Sequence, residues 1–210
     1  MPRKSPVSRD PVVVTGRILS AAQAEFMAHG YEAASTNRIT QRFGGSKATL
    51  FRYFPTKESL LEAVVRRVAE QWEPAVDWRG IDQPTEEGWL VTFGTRILEW
   101  ILGDDPIFIG RLAIAEGHKF PRLEHVFDDS AGKPLRSALS RRLRAWTREG
   151  RLACRDADAD AMLFMDLIVA GAVSRRLYGE GPLTGARLAA HVRRGVALFL
   201  NGCRSDREST

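Results

Sequence analysis

The sequence predicts an all-α protein built from two domains, and three observations lead to that prediction. Apolar residues recur at helical spacing along almost the whole chain of 210 residues, and no long segment alternates with the period of two that strands require. Hydrophobic residues make up 44% and charged residues 27% of the chain, which is typical of a globular protein. The net charge of +5 resides in residues 1–55, because the remaining segment has equal numbers of basic and acidic residues.

The N-terminal part is predicted to be a flexible basic arm, residues 1–10, followed by a helical domain, residues 11–72. The first helix begins at Asp10-Pro11, where an N-cap acceptor precedes a proline in the first turn, and it ends at Gly30. Capping residues, glycines and a proline delimit the next helices. These are expected at about 35–43, 47–54 and 57–72, with signals at Ser35, Thr36, Gly44, Gly45, Ser46, Pro55 and Thr56.

The C-terminal part is predicted to be a second helical domain, residues 86–203, joined by a linker at 73–85. The linker assignment rests on two prolines, one glycine and few apolar residues. Apolar stripes and glycine stops predict helices at about 86–102, 106–117, 133–149, 158–178 and 185–200. The polar residues 204–210 are predicted to be a disordered tail.

Residues 35–54 carry a helix-turn-helix pattern. Ile39 and Phe43 on one helix, and Leu50 and Phe54 on the next, have the i, i+4 spacing that packs two short helices together across a Gly-containing turn. The second helix is then left with side chains suited to a DNA major groove, in which Lys and Arg reach guanines or phosphates and small residues permit close approach. These are Lys47, Ala48, Thr49, Phe51, Arg52 and Tyr53. Because the excess positive charge is confined to this part of the chain, the sequence also favours a polyanionic partner. An ordinary helical hairpin with a solvated basic end is the alternative.

At these residues the sequence resembles the TetR/AcrR family of bacterial transcriptional regulators. The matching positions are Phe26, Gly30, Tyr31, Thr36, Ile39, Ser46, Thr49, Leu50, Tyr53, Phe54, Lys57, Glu58 and Leu60. The resemblance implies that Thr36, Tyr53 and Lys57 hold phosphates, whereas Lys47, Ala48, Thr49 and Phe51 face bases; Ser46, at a helix N-terminus, and Arg52 complete the predicted DNA-binding set. Thr40 and Phe43 stand where the family usually has alanine, and Gly45 replaces an apolar residue. We therefore expect Phe43 to fill the volume that Gly45 leaves.

The C-terminal part resembles domains of an AcrR-like branch of this family, on the basis of residues 115–123 and of Gly150-Arg151-Leu152. The resemblance implies dimerisation through the last two long helices and a small-molecule pocket. Residues 161–173 are apolar on nearly every face except at Asp166, and Ala172 is expected on the side that a partner helix approaches. A fully internal helix in a monomer is the alternative.

The effector pocket is predicted between the helices at 86–102, 106–117 and 158–178. A ligand site needs apolar walls and a few polar groups that orient the ligand. The predicted walls are Trp89, Phe93, Trp100, Phe108 and Met165, with Glu116 and Asp166 as orienting groups.

The sequence thus predicts a homodimeric, cytoplasmic, ligand-responsive repressor that binds a pseudo-palindromic double-stranded DNA operator. Two alternatives stay open: a DNA-binding regulator without an effector, and a helical enzyme that uses the C-terminal cavity. The enzyme is disfavoured because no acid, base or nucleophile constellation is evident. No cofactor or metal is predicted, since the four histidines lack ligand spacing and the two cysteines, Cys154 and Cys203, lack a CxxC pattern. No apolar run is long enough for a membrane span.

Overall fold

The structure, a computed structural model, describes residues 10–120 and 122–203. All regular elements within those residues are helical, which confirms the predicted all-α class. Apart from Asp10, the predicted arm lies outside the described residues, and so does the predicted tail. The described residues form two compact units: the first extends to Val68 and includes Leu112–Val126, and the second holds Ala69–Arg111 and the residues from Phe127 onward.

The N-terminal sequence folds into four helices: α1 (Pro11–Ala33), α2 (Thr36–Phe43), α3 (Lys47–Tyr53) and α4 (Lys57–Ala69). Side chains cap their ends where the sequence predicts it. Asp10 Oδ1 accepts a hydrogen bond from the Val12 N–H at 2.9 Å, and Thr56 Oγ1 accepts one from the Ser59 N–H at 3.0 Å. Gly30 interrupts α1 with a φ of 68°, a left-handed conformation that glycine adopts without strain.

The rest of the chain forms α5 to α12 with one 3₁₀ turn and two π-helical turns. In chain order these are α5 (Trp72–Val76), a 3₁₀ turn (Trp78–Gly80), α6 (Glu86–Ile101), α7 (Asp104–Glu116), α8 (Arg122–Phe127), a π turn (Asp128–Gly132), α9 (Lys133–Arg148), α10 (Ala157–Met165), a π turn (Asp166–Ala170), α11 (Gly171–Leu177) and α12 (Gly185–Cys203). Each π turn joins its flanking helices without a break. The helix expected at about 158–178 is therefore present as α10, a π turn and α11.

The core of the second unit is rich in aromatic side chains. The rings of Trp89 and Phe93 stack with centroids 4.8 Å apart, and Trp146 meets Trp89 edge-on at 5.5 Å. α12 packs closely against α6 because Gly94 leaves room: a Cβ there would lie 3.1 Å from Cγ1 of Val192. This core holds α5, α6, α9, α10 and α12 together.

Two segments differ from what the sequence predicts. The expected linker at 73–85 contains most of α5, whose Trp72 and Val76 are buried, and the Trp72 indole N–H donates to the Ser130 carbonyl at 2.9 Å. Residues 112–126, expected in the C-terminal domain, belong to the first unit, where the Phe120 ring lies 4.7 Å from the Tyr31 ring. Both assignments depend on contacts between residues distant in sequence, which local composition does not report.

Candidate nucleic-acid interface

The helix-turn-helix is formed by α2 and α3, and its inner side is apolar. Ile39, Phe43, Leu50 and Phe54, the four residues expected to pack the pair, are all buried. Gly44 ends α2 with a φ of 72°, and its N–H donates to the Thr40 carbonyl at 3.1 Å. The pair of helices is thus fixed by burial on one side and by a tight turn at the connection.

The outer side of α3 carries the side chains predicted to face DNA. Lys47, Ala48, Phe51 and Arg52 are exposed, and Thr49 and Tyr53 are half-buried. Ser46 caps the helix: its Oγ accepts a hydrogen bond from the Thr49 N–H at 3.0 Å and lies 2.9 Å from Thr49 Oγ1. The Arg52 guanidinium lies 5.1 Å from the centre of the Tyr53 ring. This surface offers two cations, hydroxyl groups and a small apolar residue on one short helix.

The two predicted phosphate contacts outside α3 are both half-buried and lie at helix N-termini, Thr36 in α2 and Lys57 in α4. Lys57 Nζ lies 4.6 Å from the centre of the Tyr31 ring and donates to the Glu32 carbonyl at 3.1 Å. These contacts hold the ammonium group near the start of α4. Burial, followed by the negative charge of Glu58, raises the pKa of the Tyr31 hydroxyl, which therefore stays neutral at physiological pH.

Glu25 is a positioning residue that the sequence analysis did not single out. Its carboxylate is 1% exposed and accepts hydrogen bonds from the Ser35 N–H at 3.0 Å and from Arg38 Nε at 2.7 Å. Burial raises the pKa of this carboxyl, but the bonds from Arg38 and Ser35 outweigh it, so the pKa is lowered overall. One anion on α1 thereby fixes the start of α2. The sequence contains a signal for this role, because Glu25 lies seven residues after Ile18 and therefore on the apolar face of the first helix, where a charged residue is unusual.

Phe43 occupies the space next to Gly45, as expected from the sequence. A Cβ on Gly45 would lie 2.7 Å from Cζ of Phe43 and closer still to Cε2. The Phe43 carbonyl also accepts a hydrogen bond of 2.6 Å from the Arg17 guanidinium of α1. Phe43 therefore links the turn of the helix-turn-helix to α1.

The residues predicted to bind an effector lie in different surroundings. Trp89 and Phe93 are buried and packed on each other, Trp100, Phe108 and Met165 are half-buried, and Asp166 is exposed in the second π turn. Glu116 is buried in the first unit, with Lys119 Nζ 3.3 Å from its carboxylate. The Trp100 ring stacks on Phe127 at 6.1 Å, and its buried indole N–H has no hydrogen-bond partner in the described part of the chain.

The expected partner-facing position needs a correction. Ala172 is buried in the core of its own unit, so it does not face outward. The outward face of this helical segment instead exposes Met162, Leu163 and Leu167, and Leu198 is exposed on α12. Leu167 lies beside α12, because a Cβ on Gly195 would be 3.8 Å from its Cγ.

The arrangement of α2 and α3 defines a class of protein, the helix-turn-helix transcriptional regulators that bind DNA. Comparison with known proteins identifies the family. A family model described as "Bacterial regulatory proteins, tetR family" matches residues 18–64, and one described as "AefR-like transcriptional repressor, C-terminal domain" matches residues 88–202, more than half of the chain. The chain belongs to the TetR family of bacterial regulatory proteins; it is a transcriptional repressor of that family and not an enzyme.

Two curated relatives and one solved structure agree with this assignment. The HTH-type transcriptional repressor Rv1474c of Mycobacterium tuberculosis is 28% identical over 199 residues, 88% of this chain and 92% of that protein. The HTH-type transcriptional repressor AcnR of Corynebacterium diphtheriae is 31% identical over 103 residues, so that match spans 45% of this chain and about half, 53%, of AcnR. A TetR-family regulator from Mesorhizobium loti has the same fold, with a TM-score of 0.84 at 20% identity over 94% of this chain and 100% of that one.

Among residues 10–120 and 122–203, none of the helices is both long and apolar enough to cross a membrane.

Proposed function

We propose that the protein is a cytoplasmic homodimer that binds a pseudo-palindromic operator in double-stranded DNA and leaves it when a small, mostly apolar effector binds. The observation that carries this proposal is the division of α3 into buried and exposed positions: Leu50 is buried, whereas Lys47, Phe51 and Arg52 are exposed. A helix held on one side and open on the other fits a major groove. Two copies would place their α3 helices in successive grooves, roughly 34–36 Å apart.

Contacts to phosphate and contacts to bases have different signatures, and these test the interface. Lys57→Ala is expected to weaken binding to all duplexes alike and to lower the slope of log affinity against log salt by about one. Lys47→Ala is expected to change base preference at defined positions, by about 1–3 kcal/mol where a bidentate contact is lost. Lys133→Ala is the control, because Lys133 lies in the second unit and pairs with Asp129.

The measurement is selection of bound sequences from a random duplex library, followed by titration at several salt concentrations. An altered base preference in Lys57→Ala would contradict its phosphate role. An unchanged preference in both Lys47→Ala and Thr49→Ala would contradict the assignment of α3 as the reading helix, and so would an equal loss in Lys133→Ala.

Dimerisation is supported by the apolar face on the second unit. Leu163 is 62% exposed and Leu198 is 55% exposed, which is unusual for large apolar side chains on neighbouring helical segments. Burying this face against its own copy would remove it from water and give the isologous contact of a two-fold dimer. A dimer of this kind carries two copies of α3, one for each half of the operator.

Effector response is supported by half-buried apolar side chains in the second unit. Trp100, Phe108 and Met165 are half-buried and so are available to an apolar ligand, whose acceptor would satisfy the buried indole N–H of Trp100. A ligand that prefers one conformation shifts the population toward it and changes the separation of the two α3 helices. Thermal shift against a panel of small apolar molecules, followed by DNA release with each hit, tests this step. Hits that bind without releasing DNA would refute the proposed coupling.

A regulator without an effector is the second candidate. It is favoured by the burial of Trp89 and Phe93, because their stacking in the core accounts for part of the aromatic content without a ligand. A panel in which no compound raises the melting temperature would favour this candidate.

A further inference from the structure

Two cysteines and an aspartate that are distant in the sequence converge in the second unit. Cys154 follows α9, Asp160 lies in the first turns of α10, and Cys203 is the last residue of α12. The two Sγ atoms and a carboxylate oxygen of Asp160 all lie within 4.8 Å of one another. In the described part of the chain, no other group of three His, Cys, Asp or Glu side chains comes together in this way.

The backbone around the three residues is held in place. The Ala153 N–H donates to the Cys203 carbonyl at 2.9 Å, which ties the segment before α10 to the end of α12. Asp156 caps α10 by accepting hydrogen bonds from the N–H groups of Asp158 at 3.0 Å and Ala159 at 3.2 Å. Cys203 is buried, and Cys154 and Asp160 are half-buried. The donor atoms therefore project from ordered segments into one place.

The three donors, all within 4.8 Å of one another, can surround a tetrahedral cation after a small contraction. Bonds of about 2.3 Å to sulfur and 2.0–2.2 Å to oxygen separate the ligand atoms of such an ion by about 3.4–3.8 Å. Thiolate ligands select thiophilic metals. We propose that Cys154, Asp160 and Cys203 form a binding site for a thiophilic divalent cation of the class represented by Zn²⁺.

The surroundings give the ion access and balance its charge. Cys154 borders a surface cavity of about 610 Å³ that Arg144, Arg148 and Arg155 also line, so a fourth ligand can reach the ion from solvent. Two thiolates and one carboxylate would overcompensate a divalent cation, and Arg148 and Arg155 offset the excess negative charge, whereas Arg144 is paired with Asp158.

The carboxylate favours a metal over a disulfide. A disulfide between Cys154 and Cys203 would need neither Asp160 nor a negative charge next to the sulfurs. A divalent cation would instead use the Asp160 carboxylate as a ligand and compensate its negative charge.

Cobalt titration of the reduced full chain tests the site. The wild type is expected to bind a single Co²⁺ per chain, with a thiolate-to-cobalt charge-transfer band and tetrahedral d–d bands, and Zn²⁺ should displace it. Cys154→Ser, Asp160→Asn and Cys203→Ser should each weaken Co²⁺ binding about tenfold or more. Asp82→Asn, an exposed loop carboxylate, should bind Co²⁺ like the wild type.

Stability gives a second readout. Excess Zn²⁺ should raise the melting temperature of the wild type but not that of the ligand variants. If Cys203→Ser fails to fold, the half-buried Cys154→Ser decides. The proposal is overturned if the reduced wild type shows no charge-transfer band, if Cys154→Ser binds Co²⁺ like the wild type, or if mass spectrometry finds a Cys154–Cys203 disulfide in a protein that binds no metal.

Discussion

Replacing Gly45 with alanine tests how the turn of the helix-turn-helix is packed. The space into which an alanine Cβ would project is filled by the buried ring of Phe43. The ring must move, and because the Phe43 carbonyl accepts the 2.6 Å bond from Arg17, its movement disturbs the contact between α2 and α1. We expect Gly45→Ala to lower both stability and DNA affinity.

The magnitude follows from two opposing effects. Overpacking a buried site costs about 1–3 kcal/mol, and the smaller conformational entropy of alanine in the unfolded chain offsets about 0.4–1 kcal/mol. The expected net loss is about 1–2 kcal/mol, which for a chain of this length lowers the melting temperature by roughly 2–8 °C. In a Phe43→Leu background the atoms Cε2 and Cζ are absent and the overpacking is relieved, so Gly45→Ala should stabilise the protein by about 0.4–1 kcal/mol. The coupling between the two positions is then about 1–3 kcal/mol.

Urea unfolding of the four proteins in this cycle measures the coupling, and titration with a selected duplex measures the affinity. Gly16→Ala is the matched control: no atom lies within 4 Å of the new Cβ, so this change inside α1 should stabilise the protein by about 0.5–1 kcal/mol. An equal cost of Gly45→Ala in the wild-type and Phe43→Leu backgrounds would show that the ring is not the obstacle and would refute the reasoning.

Three further changes test other contacts. Glu25→Gln should lower the free energy of unfolding by about 1.5–3 kcal/mol at pH 7. Because the pKa of Glu25 is lowered from 4.5, its carboxylate stabilises the protein above about pH 4.5, and this contribution is lost as the pH falls further. The free energies of unfolding of the wild type and Glu25→Gln, measured with urea, should therefore converge in acid. A difference that persists in acid, or an equal loss in Glu99→Gln, would contradict this. Leu163→Arg should give monomers in light scattering, whereas Ile114→Arg, also at an exposed apolar position, should not; a dimeric Leu163→Arg would exclude the proposed face. Ser46→Ala should cost about 1 kcal/mol in thermal unfolding through the lost cap of α3, and an unchanged melting temperature would mean that the cap contributes nothing.

Features that depend on neighbours in the sequence could be predicted from it. Asp10, Gly44 and Ser46 mark helix ends because capping involves residues only a few positions apart. The spacing of Leu50 and Phe54 likewise predicts the buried side of α3, and thereby which of its side chains are exposed. That these exposed side chains contact DNA stays a prediction.

Features set by distant residues could not be predicted from local patterns. Nothing around Trp72 shows that its indole N–H meets Ser130, so α5 was expected in a linker. The membership of residues 112–126 in the first unit depends on contacts such as that of Phe120 with Tyr31. The convergence of Cys154 with Cys203 is of the same kind, because their separation in the sequence matches no metal-binding motif.

The π turn at Asp166–Ala170 determines which side chains of α11 face the core. A strict α-helical repeat from the buried Phe164 would turn position 171 inward, yet Gly171 is exposed and Ala172 is buried. The turn holds one more residue than an α-helix would, which delays all later positions by about 100°. Deleting Val169 would restore the regular repeat, and Ala172 would then lie seven residues after Phe164 and stay in the core. The extra residue of the π turn is therefore what keeps Ala172 in the core, since an α-helix of the same number of residues would turn Gly171 inward instead.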